Sequence, residues 1–226
     1  MPLHSDEPPP RASLLRCEHL EEPLGIDVAA PAFGWTPSGP QRAYQVLVAT
    51  DPELPAAGVG NVWDSGRVAT DEVNGASYRG APLASRRRYW WSVRLWGDGP
   101  EPGPFAPTAS FETGLLDPAD WEASWIAGGE GVSSPLLRTG FYVPGDVRRA
   151  RAHVAALGCY ELRLNGERVG DRVLDPATTS YDHDPELYDG DGKPARIPHP
   201  RVLYSTYDVT GLLESGANAA GLVLGH

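Results

Sequence analysis

Apolar residues along this chain recur mostly with a period of two. In Tyr44-Gln45-Val46-Leu47-Val48, residues Tyr44, Val46 and Val48 share one face, which predicts a strand. The strongest such run is Tyr89-Trp90-Trp91-Ser92-Val93-Arg94-Leu95-Trp96. It sets Tyr89, Trp91, Val93 and Leu95 on one face, and Trp90, Ser92, Arg94 and Trp96 on the other. Ser65-Gly66, Asn74-Gly75 and Gly97-Asp98-Gly99-Pro100 supply turn chemistry between the runs. Short strands at this spacing, without helical periodicity, predict an antiparallel sandwich of about 100 residues.

The pattern breaks at Gly114–Trp121, where Asp117 can cap a single helical turn with Pro118 at its first position. Trp121 and Trp125 follow and are expected to anchor a linker. A second all-β pattern begins near Ala127. Tyr160-Glu161-Leu162-Arg163-Leu164 alternates with Tyr160, Leu162 and Leu164 inward. It meets Asn165-Gly166, whose tolerance of positive φ predicts a two-residue hairpin into Glu167-Arg168-Val169. Thr210 and Gly216 are expected to bound a one-turn helix as N-cap and C′ residue. Leu222-Val223-Leu224 predicts a last strand that stops without a following partner, so the second sandwich is expected to be interrupted. The organisation expected is a disordered, Pro-rich arm over 1–13, a sandwich over 14–116, a linker over 117–126 and a second sandwich over 127–226.

Composition narrows the function. With 226 residues and 41% hydrophobic content, the chain can bury a core. Its net charge of -11 repels phosphate backbones and anionic surfaces, which excludes nucleic acid and membrane as expected partners. No apolar run approaches the roughly 20 residues of a membrane span. The N-terminus has no apolar signal-peptide core, so a cytoplasmic location is expected. Cys17 and Cys159 are expected to be reduced thiols, since two cysteines 142 positions apart do not make a disulfide framework.

The ordered motifs resemble the N-terminal, non-catalytic region of bacterial α-L-rhamnosidases. The first part, Glu22-Pro23-Leu24-Gly25-Ile26-Asp27, Pro31-Ala32-Phe33-Gly34-Trp35, Gln41–Ala49, Trp63-Asp64-Ser65-Gly66, Arg88–Val93 and Phe111-Glu112-Thr113-Gly114, is similar to that family's fibronectin-III-like domain. The second, Trp121–Ile126, Gly158–Asp171, Leu174-Asp175-Pro176, Thr179-Ser180-Tyr181 and Tyr204–Thr210, resembles its N-terminal β-sandwich. The resemblance implies an all-β chain of two antiparallel β-sandwich domains in tandem, the first fibronectin-III/Ig-like and the second jelly-roll-like and truncated. It implies a parent glycoside hydrolase that removes terminal, non-reducing α-L-rhamnose from glycosides or polysaccharides with inversion. The family's acid and base belong to a catalytic (α/α)6 barrel, which this chain lacks and would partner in a full-length protein. The chain alone is therefore expected to be inactive. Between Tyr181 and Tyr204 it carries a longer connection, Asp182–Leu203, than the family's usual one.

No residue here is assigned a catalytic or cofactor-binding role. Glu112 and Glu161 are expected to be solvated or turn-supporting. Asp182, Asp184, Asp189 and Asp191 are weak candidates for calcium, because hard cations take several carboxylate or carbonyl oxygens. A solvated acidic loop is the weightier expectation for them. Trp90 and Trp96 are candidates for stacking on sugar C–H surfaces or for packing against the neighbouring domain. Arg86-Arg87-Arg88 is expected to be solvated, and the six histidines show no ligand spacing. A homodimer is expected if the last strand leaves its edge open. The competing class is a stand-alone carbohydrate-binding or interaction module.

Overall fold

The computed structural model describes residues 8–129, 131–177, 179 and 202–225. The chain divides into two compact units, Met1–Glu122 and Ala123–His226. In the first, β1 (Ala12–Cys17), β2 (Ala32–Pro37), β3 (Ala43–Ala49), α1 (Glu53–Ala56), β4 (Trp63–Asp64), β5 (Val68–Ala69), β6 (Ala76–Ser77), β7 (Arg88–Trp96) and β8 (Ala109–Glu112) follow in order. They form a three-stranded sheet, β1-β2-β6, and a second sheet, β4-β3-β7-β8, with β5 also on β3. Every pairing is antiparallel.

The alternation in β7 sets this architecture. Tyr89, Trp91, Val93 and Leu95 are all buried, and they face a core that Phe33 of β2 enters from the other sheet. The Phe33 ring lies 4.5 Å from Trp91 and 5.7 Å from Phe111, so aromatic packing joins the two sheets. β3 runs between β4 and β7 and buries Leu47 as well as Val46 and Val48, because α1 packs over its second face. Gln41 is a buried polar group in this core. Its Oε1 accepts from Trp35 Nε1 at 2.8 Å, and its Nε2 donates to the carbonyls of Glu72 at 2.8 Å and Thr70 at 3.3 Å.

The second unit holds β9 (Leu136–Val143), β10 (Arg151–Ala155), β11 (Cys159–Leu164), β12 (Glu167–Arg168), β13 (Tyr204–Asp208) and β14 (Gly216–Gly225). One sheet has the order β12-β11-β14-β9 and the other is the pair β10-β13. Asn165 (φ 53) and Gly166 (φ 89) make the hairpin between β11 and β12. Leu164, Val169 and Val209 form its buried centre, with Leu162, Tyr207 and Leu212 packed around them. Two antiparallel β units in tandem are what the alternation implied.

Several elements depart from expectation. The arm enters the fold earlier than residue 13: Pro10 is buried and β1 begins at Ala12, where Arg11 and Ser38 exchange hydrogen bonds. The last strand is neither short nor unpaired. β14 spans ten residues and is hydrogen-bonded to β11 on one side and β9 on the other. The strands at the edges of that sheet, among the described residues, are β12 and β9. Thr210 does not cap a helix. Val209 holds the cap position of a 3-10 turn, Thr210–Leu212, while the Asp208 carboxylate accepts from Thr210 N at 3.0 Å. Gly216 opens β14 at φ 102 instead of closing a helix. Asp117 does cap its turn, Pro118–Asp120, and Cys17 and Cys159 are both free thiols.

Candidate functional site

The outward face of β7 carries the aromatic residues that the alternation singled out. Trp90 is half-buried opposite Ser110 of β8 and Ala49 of β3. Six residues along, or about 20 Å at strand rise, lies Trp96. Between them Ser92 is fully buried, its hydroxyl donating to the Ala106 carbonyl at 2.7 Å. The strand therefore does not bring the two indoles together into one platform.

Trp96 is only 6% exposed. The Arg67 and Arg94 guanidinium groups lie 5.3 and 5.1 Å from its ring, and Arg94 also stacks 4.8 Å from Phe105. Each contact is a cation–π pair. Arg94 is held in place because its Nε donates to Gln45 Oε1 at 2.8 Å, while Gln45 Nε2 donates to Asp64 at 2.6 Å. This carboxylate–amide–guanidinium–indole chain was not evident beforehand. Its members come from β3, β4 and β7, with Arg67 added from the turn between β4 and β5, so only strand pairing assembles it.

Glu112 is not solvated. It is 2% exposed at the end of β8, with Arg88 Nε 3.4 Å from its Oε2 across the β7–β8 pair. Glu161 is the surface residue expected, 2.8 Å from Arg163 and 3.6 Å from Arg168. The arginine run is tied down by the turn beyond β8. Arg86 donates to the Asp120 carbonyl, Ser85 to the Asp120 carboxylate, and Leu116 N donates to Ser85 Oγ at 2.9 Å. The Ser85 hydroxyl and the Asp117 amide hold the Asp120 carboxyl below the usual carboxylate range, with Arg86 adding to the effect. That direction is opposite to what a general acid requires.

The second unit contains a part-buried polar chain. Tyr160 of β11 and Tyr207 of β13 meet hydroxyl to hydroxyl at 2.9 Å, and Tyr207 donates to the Asp175 carboxylate. Burial pushes both phenols up; for Tyr207 the Asp175 hydrogen bond adds to it. Tyr160 N also donates to the Asp175 carbonyl at 2.9 Å, so the 170–177 loop is pinned to strands of both sheets. The motif Leu174-Asp175-Pro176 thus has a structural use. Trp125 is 63% exposed and makes a poor linker anchor as described.

Asp182, Asp184, Asp189 and Asp191 lie outside the described residues. Among the described residues, no group of three or more His, Cys, Asp or Glu side chains could hold a metal ion. Among those same residues, no helix is long and apolar enough to cross a membrane.

Comparison with known proteins follows this division into two units. Residues 12–117 match the model of the Rha78A-like N-terminal immunoglobulin domain, and residues 145–189 match that of the α-L-rhamnosidase N-terminal domain. An α-L-rhamnosidase of Formosa agariphila is 33% identical over 222 residues, covering 91% of this chain and 22% of its own length. The structure of an α-L-rhamnosidase from Dictyoglumus thermophilum superposes with a TM-score of 0.84 at 35% identity, covering 96% of this chain and 25% of that one. One from Aspergillus terreus gives 0.69 at 28% identity, covering 96% and 24%. The chain thus spans about a quarter of the length of these relatives.

Proposed function

We propose a non-catalytic framework role from one premise: the chain belongs to the α-L-rhamnosidase family, as its N-terminal immunoglobulin-like and rhamnosidase N-terminal domains. In this reading the parent enzyme hydrolyses terminal, non-reducing α-L-rhamnose from glycosides or polysaccharides. Inversion at the anomeric carbon needs an acid and a base about 6.5–9.5 Å apart with a water between them. Those two carboxylates belong to a separate catalytic domain, which the two β units support.

One observation carries the proposal. The likeness to α-L-rhamnosidases extends over both units, at 35% identity with 96% of this chain covered, yet covers only 25% of that relative. The chain's own chemistry agrees. Asp120 is shifted the wrong way for an acid, and Glu112 is locked beside Arg88. The alternative, a self-sufficient carbohydrate-binding module, needs an open aromatic face, and guanidinium groups stack on the Trp96 indole.

The test is an assay of the purified chain against an aryl α-L-rhamnoside. No turnover is expected. Turnover that persists through repurification and changes with point variants of this chain would overturn the proposal. Reading the coding sequence beyond the His226 codon gives a second check: an encoded helical domain supports the framework role, and an immediate stop codon supports the module.

A further inference from the structure

We propose that Asn74 is a site of self-modification, where the Asn74-Gly75 pair cyclises to a succinimide and reopens as isoaspartate or aspartate, while the fold protects the chain's second Asn-Gly pair. The two pairs, Asn74-Gly75 and Asn165-Gly166, are alike in sequence. Both are exposed, and both glycines lie at positive φ, 80° and 89°. Their carboxamides set them apart. Asn165 Nδ2 donates to the Leu212 carbonyl at 2.9 Å and to Asn218 Oδ1 at 2.8 Å, and its Oδ1 accepts from Ala219 N at 2.9 Å. The Asn74 carboxamide makes no hydrogen bond among the described residues, and neither does the Gly75 amide. Asn74 Oδ1 only rests over Gly34 of β2, where a Cβ would come within 2.6 Å of it.

The chemistry needs no group beyond this dipeptide and water. Glycine has no side chain to crowd its own nitrogen. That nitrogen gives its proton to solvent and bonds to Asn74 Cγ. The Cγ–Nδ2 bond breaks, and the nitrogen takes a proton from solvent and leaves as ammonia. Water then adds to one of the two imide carbonyls. Opening at Cγ gives aspartate; opening at the main-chain carbonyl routes the backbone through Cβ and Cγ. One water enters, one ammonia leaves, and nothing is oxidised or reduced. The turn at 74–75 is held on both sides, since Trp35 N donates to the Val73 carbonyl at 3.1 Å and Ala76 pairs with Phe33 of β2. An extra main-chain atom therefore strains the β2–β6 pairing, and the new carboxylate stands beside Asp71 and Glu72 in an already acidic chain.

Incubation of the purified chain at mildly alkaline pH in water enriched in heavy oxygen, followed by peptide mapping, tests this. The Asn74 peptide should lose ammonia and take up label about tenfold or more faster than the Asn165 peptide, because the hydrogen bonds of Asn165 must open before its imide can close. In urea that unfolds the chain, the two rates should fall within about threefold of each other. An Asn74 that stays intact in the folded protein while the unfolded chain converts overturns the proposal. So does an Asn165 that keeps pace with Asn74 in the folded protein. The isoaspartyl form, separated by chromatography, should have a lower urea midpoint than Asn74→Asp, which carries the charge without the extra main-chain atom. Equal midpoints would overturn the strain assigned to the β2–β6 pairing.

Discussion

Gln41 uses both ends of its amide inside an otherwise apolar core, holding Trp35 and the backbone at Thr70 and Glu72. Truncation strands those buried groups, so Gln41→Ala should cost about 1–3 kcal/mol, read as a shift of the urea midpoint. Tyr207 has the equivalent position in the second unit. Tyr207→Phe leaves the Asp175 carboxylate, whose side chain is nearly buried, and the Tyr160 hydroxyl short of a partner. It should cost more than Tyr160→Phe, which leaves the Tyr207–Asp175 bond in place. Both phenols are raised in the folded state. Their contribution to stability is therefore complete below about pH 10, the unfolded value, and is lost as pH rises through the folded values. Ultraviolet titration of Tyr207→Phe should show one fewer late-ionising tyrosine. For Asp120 the sign reverses, since its carboxyl is lowered. Its contribution is present above about pH 4 and fades as pH falls through the folded value; Ser85→Ala should move the NMR-observed Asp120 titration upward. None of these partners could be paired by inspection of the chain. Asp175 and Tyr207 stand 32 positions apart, and nothing local marks either for the other.

The hairpin at Asn165-Gly166 is the opposite case, because the positive φ of both residues is a local steric demand that the dipeptide announces. Gly166→Ala puts a side chain in the left-handed region and should cost about 1–2 kcal/mol by thermal or urea unfolding. Asn165 does more than turn. Its Nδ2 donates to Asn218 Oδ1 at 2.8 Å, and its Oδ1 accepts from Ala219 N at 2.9 Å, which locks the hairpin to the start of β14. β14 itself was legible only at Leu222-Val223-Leu224. Its first half, Gly-Ala-Asn-Ala-Ala-Gly, has no apolar alternation, and it is a strand because β9 and β11 supply ladders on both sides. The expectation of an open edge was therefore placed on the wrong strand. Trp96 shows the same limit from the other direction. The alternation put it on the outer face of β7 beside Arg94, and Arg67 from the turn before β5 then covered it together with Arg94.

At the scale of the whole chain, the boundary between the units falls between Glu122 and Ala123, and among the described residues no strand lies between Trp121 and Pro135. Trp125 and Ile126 are exposed there. Limited chymotryptic digestion should cut after Trp125 and release the first unit intact by mass spectrometry; a bond there that resists while the folded units are degraded would contradict this division. The two all-β units, the core face of β7, the hairpin and the Asp117 cap were determined by the sequence alone. Each follows from interactions within a few residues: alternation across a pleat, steric tolerance of a turn, or a side chain reaching its own backbone. Strand order, the burial of Glu112, the covering of Trp96, the Tyr160–Tyr207–Asp175 chain and the exposure of β9 were decided only by the tertiary structure. They depend on which distant segments pack together, and pairing energy between strands is carried largely by backbone groups that every residue shares.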